Sequence, residues 1–229
     1  MDKKLLIFGS NGALGKGVTE TLLSKDYDEI YLFDFKFDSS LSDPRVKQIL
    51  VKDLSLETNV ISSLIQVKAD KKTKLFLFST IGGFYGGNAV WETEEVDFDR
   101  MINMNLKTNF LIAKHFSLLV KKSFGGAICF TSAFTGKHPE ELKFSYGAAK
   151  SALNYLVKTL SLEGSAINLS VNAIAPFIID TPANREWMKN ANISSWIKPG
   201  EFGELVHSLF THYNFVSGNI IELKKRFDP

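Results

Sequence analysis

The feature that most constrains the fold of this chain lies at its beginning, where a short apolar run leads directly into a glycine-rich turn. Residues 5–8 are all apolar, three glycines spaced three apart follow, and apolar residues then return at helical intervals. This order predicts a strand, a tight turn and a helix, and a plain structural turn is the alternative. Glycines there let a phosphate approach the backbone, and the start of the helix offers it N–H groups. The predicted dinucleotide-binding loop consists of Gly9, Ser10, Asn11, Gly12, Ala13, Leu14 and Gly15.

Length, charge and cysteine content narrow the class of protein further. A chain of 229 residues fits one domain, residues 1–229, which can bury a large core without disulfides. Its 27 basic and 25 acidic residues give a net charge of +2 and are spread along the chain, which does not suggest a nucleic-acid partner. The lone Cys129 can form no internal disulfide, and no metal site is expected.

The distribution of apolar residues also bears on location. No apolar run approaches the ~18 residues that a membrane span requires. The first apolar stretch ends at Gly9, short of the core of a signal peptide. We therefore expect a cytoplasmic protein without a membrane partner.

Segments typical of strands alternate with segments of helical periodicity along the chain. Further strands are predicted at 29–34, 46–51, 75–78, 127–132, 168–175 and 219–223, and further helices at 56–69, 97–122 and 144–163. The remainder, 177–212, is predicted to contain loops and helices. Continuous apolar strands joined by helices are typical of an α/β fold whose sheet is parallel and covered on both faces.

The second predicted strand ends in an acid, Asp34, which lies 25 residues beyond Gly9. At such a position a carboxylate accepts hydrogen bonds from the adenosine ribose and repels a 2′-phosphate. Asp34 therefore favours NAD as the cofactor, while the nearby Lys36 keeps NADP open as an alternative.

A glycine-dense loop follows the apolar strand at 75–78. It contains Gly82 together with the aromatic residues Phe84 and Tyr85. Ligands bind at the carboxyl edge of a parallel sheet, and aromatic side chains are costly to leave exposed. We therefore expect this loop to contribute to a ligand site, although a flexible loop is the alternative.

Tyr146 and Lys150 are four residues apart on a predicted helix, which places both side chains on one face. An adjacent ammonium stabilises a phenolate and lowers the tyrosine pKa from its usual value of about 10. The pair predicts a proton donor to a carbonyl or imine that is reduced by hydride, and a chance match is the alternative.

Three further polar residues are candidates for the same site. Ser132, fourteen residues before Tyr146, could polarise the substrate oxygen or simply end a strand. Asn105 lies in a mostly apolar helix, where it could hold a backbone group or a water. The Thr181 hydroxyl could face the cofactor amide, or Thr181 could precede a helix with proline at its first position.

The order and spacing of these residues resemble those of the short-chain dehydrogenase/reductase family over nearly the whole chain. The residues that carry the resemblance are Gly9 to Gly15, Asp34, Asp53, Asn105, Ser132, Tyr146 with Lys150, and Pro176 through Thr181. The resemblance implies a single-domain Rossmann fold with a doubly wound, mostly parallel seven-stranded sheet and helices on both faces. It also implies a homodimer or homotetramer that pairs the helices at 97–122 and 144–163.

The same resemblance implies roles for individual residues. Tyr146 is the implied proton donor, and Lys150 lowers its pKa and holds the nicotinamide ribose. Ser132 orients the substrate, and Asn105 supports a water of the proton relay. Asp53 meets the adenine, and the cofactor also contacts Gly82, Pro176 and Thr181.

Departures from the family pattern resemble the dihydropteridine reductase branch. The middle glycine of the loop is at its fourth place, Ser79-Thr80-Ile81-Gly82 replaces Asn-Asn-Ala-Gly, and Ala133 stands where the family has its serine. This branch uses NADH to reduce a quinonoid dihydropterin, although it has tryptophan where Phe84 stands. The small-molecule substrate is then expected to lie between walls formed by Phe84, Tyr85, Trp187 and Met188. A reductase of another carbonyl compound and a non-catalytic NAD-binding regulator are the alternatives.

Overall fold

The predicted parallel sheet is present in the computed structural model, which describes residues 1–227. Its seven strands are β1 (Asp2–Phe8), β2 (Glu29–Asp34), β3 (Val46–Leu50), β4 (Thr73–Ser79), β5 (Gly125–Thr131), β6 (Leu169–Pro176) and β7 (Ile220–Leu223). Their spatial order is β3-β2-β1-β4-β5-β6-β7, and every neighbouring pair runs parallel. The strand order reverses between β1 and β4, so the carboxyl ends of these two strands form the switch point at which such sheets bind ligands.

Helices cover both faces of the sheet. They are α1 (Ala13–Leu23), α2 (Glu57–Leu64), α3 (Glu95–Ile102), α4 (Thr108–Val120), α5 (Phe144–Gly164), α6 (Pro182–Trp187) and α7 (Pro199–Thr211). One core layer joins α1 and α7 to the sheet, and the other joins α2, α4 and α5 to its opposite face. Alternate residues of β1 enter the two layers, since Leu5 and Ile7 lie in the first and Leu6 and Phe8 in the second. Burial on both faces explains why the strands are continuously apolar.

The sequence predictions of fold class and of strand positions are confirmed, but two helices differ. The helix predicted over 56–69 ends at Leu64, because the chain turns there and the N–H of Val67 bonds to the Leu64 carbonyl while Val67 packs in the core. The long helix predicted over 97–122 is divided into α3 and α4 by one π-helical turn over Asn103–Lys107. Such a turn inserts an extra residue into the helix and is frequent at functional sites.

Three further observations concern the described residues. Among residues 1–227, none of the helices combines the length and the apolar composition that a membrane crossing requires. Cys129 is a free cysteine in β5, and its complete burial raises the pKa of its thiol. Over the same residues, no group of three or more His, Cys, Asp or Glu side chains could hold a metal ion.

Candidate active site

The glycine loop between β1 and α1 has the shape of a phosphate cradle. Gly9 has a φ of +78°, and a Cβ at Gly15 would lie 2.0 Å from the Gly9 carbonyl oxygen, so both positions require glycine. A Cβ at Gly12 would instead point into open space, with only that same oxygen within 4 Å, at 3.5 Å. No side chain caps the N-terminus of α1, which begins at Ala13. The N–H groups and the space above Gly12 therefore fit a cofactor phosphate.

Two cavities lie at the carboxyl edge of the sheet. The first, of about 510 Å³, lies beyond the ends of β2 and β3, and the second, of about 600 Å³, lies beyond the ends of β4, β5 and β6. The loop after β4 borders both cavities, since Ile81 lines the first, and Thr80 and Gly82 line the second. The arrangement suits a dinucleotide whose adenosine and nicotinamide halves enter different cavities.

The first cavity contains both acids that the sequence assigns to the adenosine half. The buried carboxylate of Asp34 accepts the N–H of Asn11 on one oxygen and the N–H of Phe35 on the other, each at 2.8 Å. Asp53 is exposed, and its pKa is held below its ordinary value by hydrogen bonds with Ser55. Asp34 and Asp53 thus lie together, and their contacts with a cofactor stay predictions.

The second cavity contains the predicted proton donor and its lysine. The Lys150 ammonium lies 5.8 Å from the centre of the Tyr146 ring and donates to the Thr131 carbonyl at 2.8 Å. Burial lowers the pKa of Lys150 to about 7.

The lowering of the Tyr146 pKa by Lys150 stays a prediction, because burial acts against the charged forms of both groups. Burial raises the pKa of the Tyr146 hydroxyl, and the Glu140 carboxylate raises it further. The amine that was expected to oppose this shift is itself buried, which disfavours its charged form. Tyr146 therefore keeps its proton at neutral pH, as a proton donor must.

Asn105 lies at the centre of the π-helical turn and is completely buried. Its side-chain amide donates to the carbonyls of Gly83 and Met101 and accepts the N–H of Gly83. The expectation that Asn105 holds a backbone group is confirmed. Its support of a water molecule in the proton relay stays a prediction. A Cβ at Gly82 would lie 2.6 Å from the Asn105 Oδ1 and 3.0 Å from the Lys150 Nζ, so only glycine fits there.

Ser132 lines the second cavity, but its hydroxyl already has a partner. It donates to the Oδ1 of Asn154 at 2.6 Å, and the Asn154 amide donates to the Gly136 carbonyl at 3.1 Å. Asn154 follows Lys150 by four residues on α5, so helical spacing could have revealed it. The polarising role of Ser132 stays a prediction, and so does its orienting role.

Three of the four residues predicted to form the walls of the substrate site line the second cavity. Phe84, Trp187 and Met188 line the second cavity, and the Phe84 ring lies 5.1 Å from the Tyr146 ring, edge to face, and 6.0 Å from the Trp187 ring. Tyr85 requires a correction, because it is absent from this wall. Its ring lies against the Arg100 guanidinium at 5.0 Å, and its hydroxyl accepts the Asn88 amide.

The segment after β6 also differs from one expectation. Pro176 lines the second cavity, as the resemblance implies for a cofactor contact. Thr181 instead caps α6, because its hydroxyl oxygen accepts the N–H of Asn184 at 3.3 Å ahead of Pro182. Thr181 therefore precedes a helix with proline at its first position, which is the alternative considered for this residue. The contact of Thr181 with the cofactor amide stays a prediction.

Sequence reasoning missed a polar cluster in the second cavity. Glu140 accepts hydrogen bonds from the Lys143 ammonium, at 2.7 Å, and from the Thr135 hydroxyl, and all three line the cavity. These residues lie in an irregular segment before α5, where no periodic pattern marks the direction of a side chain.

Comparisons with known proteins agree with this geometry. A family model described as short chain dehydrogenase matches residues 3–192. A dihydropteridine reductase from Dictyostelium discoideum is 30% identical over 207 residues, which cover 89% of this chain and 86% of that protein. The structure of ElxO with NADP bound superposes with a TM-score of 0.81 at 21% identity, covering 98% of each chain. A short-chain type dehydrogenase/reductase from Mycobacterium ulcerans gives a TM-score of 0.83 at 16% identity, covering 98% of this chain and 89% of the other.

The chain belongs to the short-chain dehydrogenase/reductase family. It is an NAD(P)-binding oxidoreductase of the Rossmann fold. Members of this family act on small molecules and are commonly oligomeric. The solved structures, at 21% and 16% identity, show the shared fold.

Two glycine variants test two different roles of this loop, phosphate binding at Gly12 and tight packing at Gly15. Gly12→Ala is expected to weaken NADH binding at least tenfold without changing the thermal midpoint, because its methyl group fills the space above the helix start. Gly15→Ala is expected to lower the free energy of unfolding by about 2 kcal/mol or more, because its methyl group meets backbone atoms. Fluorescence titration with NADH and thermal melts measure the two effects. Unchanged NADH binding by Gly12→Ala contradicts the cradle.

Proposed function

We propose that this protein reduces a quinonoid dihydropterin to the tetrahydropterin at the expense of NADH. The observation that carries the proposal is that Phe84, which contacts both Tyr146 and Trp187, lines one cavity together with them. A flat heterocycle fits between aromatic side chains, and Tyr146 can protonate a ring nitrogen there. The 30% identity with a dihydropteridine reductase over most of both chains supports the same substrate class.

In the second cavity, Tyr146 and Lys150 would take part in proton transfer. NADH supplies the hydride, and the balance of the reaction requires one proton from the protein. The Tyr146 hydroxyl donates it, since this hydroxyl carries its proton at neutral pH and lies in the cavity. The pKa of Lys150 is about 7, well below that of Tyr146, so proton return from the Lys150 ammonium to the tyrosinate is downhill.

We also propose that NADH is preferred over NADPH. The Asp34 carboxylate is buried and fixed by two backbone N–H groups beside the first cavity, where it would repel a 2′-phosphate. In the neighbouring segments, Lys16 pairs with Asp38, and the Lys36 ammonium lies 5.8 Å from the centre of the Phe35 ring. The preference therefore rests on Asp34.

Two other functions compete with this proposal. Reduction of another carbonyl compound uses the same Tyr146 and Lys150. A non-catalytic NAD-binding regulator is favoured by one observation, the methyl group of Ala133 where the family has its serine, while Ser132 bonds to Asn154. The cytoplasmic location stays a prediction, which an NADH-dependent reductase would suit.

The substrate and the proton donor are tested together by stopped-flow oxidation of NADH with quinonoid dihydropterin. Tyr146→Phe is expected to lower kcat at least 100-fold, because a positioned proton donor contributes on this scale. Tyr213→Phe is a matched control, since its ring packs on Phe76 away from both cavities, and it should keep the wild-type rate.

Three outcomes of this assay contradict parts of the proposal. An unchanged rate in Tyr146→Phe removes the tyrosine from proton transfer. A wild-type protein that reduces ketones but no dihydropterin has another substrate. Equal kcat/KM with NADH and NADPH contradicts the cofactor preference, which is expected to be at least tenfold.

We propose further that two copies pair through α4 and α5, as a homodimer or as half of a homotetramer. Phe110 and Leu118 on α4 and Tyr155 and Leu162 on α5 are exposed apolar side chains, the last two at 74% and 77%. Exposed apolar side chains of this size on neighbouring helices mark interaction surfaces. The double variant Tyr155→Glu/Leu162→Glu should sediment as a folded 25.6 kDa monomer, whereas the wild type sediments as a dimer or tetramer. A monomeric wild type contradicts the pairing.

A further inference from the structure

We propose that Glu140 determines substrate specificity: its carboxylate accepts hydrogen bonds from adjacent N–H groups of the substrate and so selects a heterocycle with an amidine- or guanidine-like edge. This inference rests on the proposed function, because the amino-oxo-pyrimidine ring of a pterin carries such an edge. It adds to that function a residue outside the Tyr146–Lys150 pair.

Glu140 is held in one orientation at the wall of the second cavity. Its side chain is 25% exposed, and each carboxylate oxygen has one protein partner, Lys143 on Oε1 and Thr135 on Oε2. A carboxylate offers about four acceptor positions. One position on each oxygen therefore stays available, which matches the two parallel N–H donors of an amidine or guanidine group.

The charge of Glu140 acts close to the proton donor. Burial is the main cause of the raised pKa of Tyr146, and the negative charge of the Glu140 carboxylate raises that pKa further. Burial alone raises the pKa of Glu140, but hydrogen bonds from Lys143 and Thr135 outweigh it and keep the pKa below its ordinary value. Glu140 is ionised at neutral pH and accepts hydrogen bonds only.

The surrounding side chains restrict what can use these acceptors. Phe84 and Trp187 favour a flat ring, and Glu140 favours a ring with N–H donors on its edge. A carbonyl oxygen in place of the amino group would repel the carboxylate and leave one of the two acceptor positions unmatched. Sites built to hydrogen-bond a substrate reject analogues that lack the partner group.

The selectivity is tested with two pteridines that differ at one position. Pterin carries an amino group where 2,4-dioxopteridine carries a carbonyl oxygen, and no hydride transfer occurs with NAD⁺, because both rings and the cofactor are in their oxidised forms. Dissociation constants are measured by pteridine fluorescence with NAD⁺ present, for the wild type, Glu140→Gln and Glu141→Gln. Glu141 is the matched control, because it is adjacent and exposed and does not line the cavity.

The wild type should bind pterin roughly 10- to 100-fold more tightly than 2,4-dioxopteridine, as expected for the loss of one hydrogen bond to a charged group. Glu140→Gln should reduce this preference at least tenfold, because an amide can donate to the carbonyl oxygen. Glu141→Gln should keep the wild-type preference. The double variant Glu140→Gln/Lys143→Gln leaves no unpaired ammonium, and it replaces the single variant if that variant does not fold.

Two results overturn the assignment to Glu140: a wild type without preference for pterin, or a Glu140 variant that keeps the full preference. These outcomes are separate from the proposed reaction. Pterin preference without turnover of dihydropterin contradicts the reductase and leaves the role of Glu140 standing. Turnover of dihydropterin without a preference for pterin supports the reductase and contradicts the role of Glu140.

Discussion

Burial of the Lys150 ammonium is the constraint around which the second cavity is built. An amine that is 3% exposed loses most of its hydration, which carries a large free-energy cost unless polar atoms replace the water. Here the replacement includes the Thr131 carbonyl at the end of β5. The lysine thus lies where the sheet edge, α5 and the loop after β4 meet, and a change in any one of them alters its surroundings.

The neighbours of Lys150 show how closely this place is packed. Gly82 must lack a side chain because a Cβ would lie 3.0 Å from the Nζ and 2.6 Å from the Asn105 amide oxygen. Asn105 lies in the π-helical turn and holds both backbone groups of Gly83. The interruption of the long helix thus coincides with the residue that fixes the loop after β4. The glycine loop stands apart from this arrangement and is fixed to β4 by the Thr80 hydroxyl, which donates to the Gly9 carbonyl.

The fold could be predicted from the sequence because burial on both faces leaves a strong pattern. Continuous apolar strands such as 75–78, glycines at the first turn and an acid at the end of β2 are each visible along the chain. The same holds for Tyr146, Lys150 and Asn105, which lie in helices of known period. The roles of individual residues depended on tertiary contacts that no local pattern contains. Tyr85 follows Phe84 directly but contacts Arg100, Thr181 caps a helix, and Glu140 lies in an irregular loop.

The most direct test of this account is the titration of Lys150 itself. Lysine labelled with carbon-13 at Cε gives NMR shifts that report the charge of each ammonium, and Lys150→Met identifies the signal of Lys150. Because burial disfavours the charged form, the account predicts that Lys150 loses its charge near pH 7 in the protein alone. A Lys150 signal that stays charged to about pH 10, as in an exposed lysine, would contradict it.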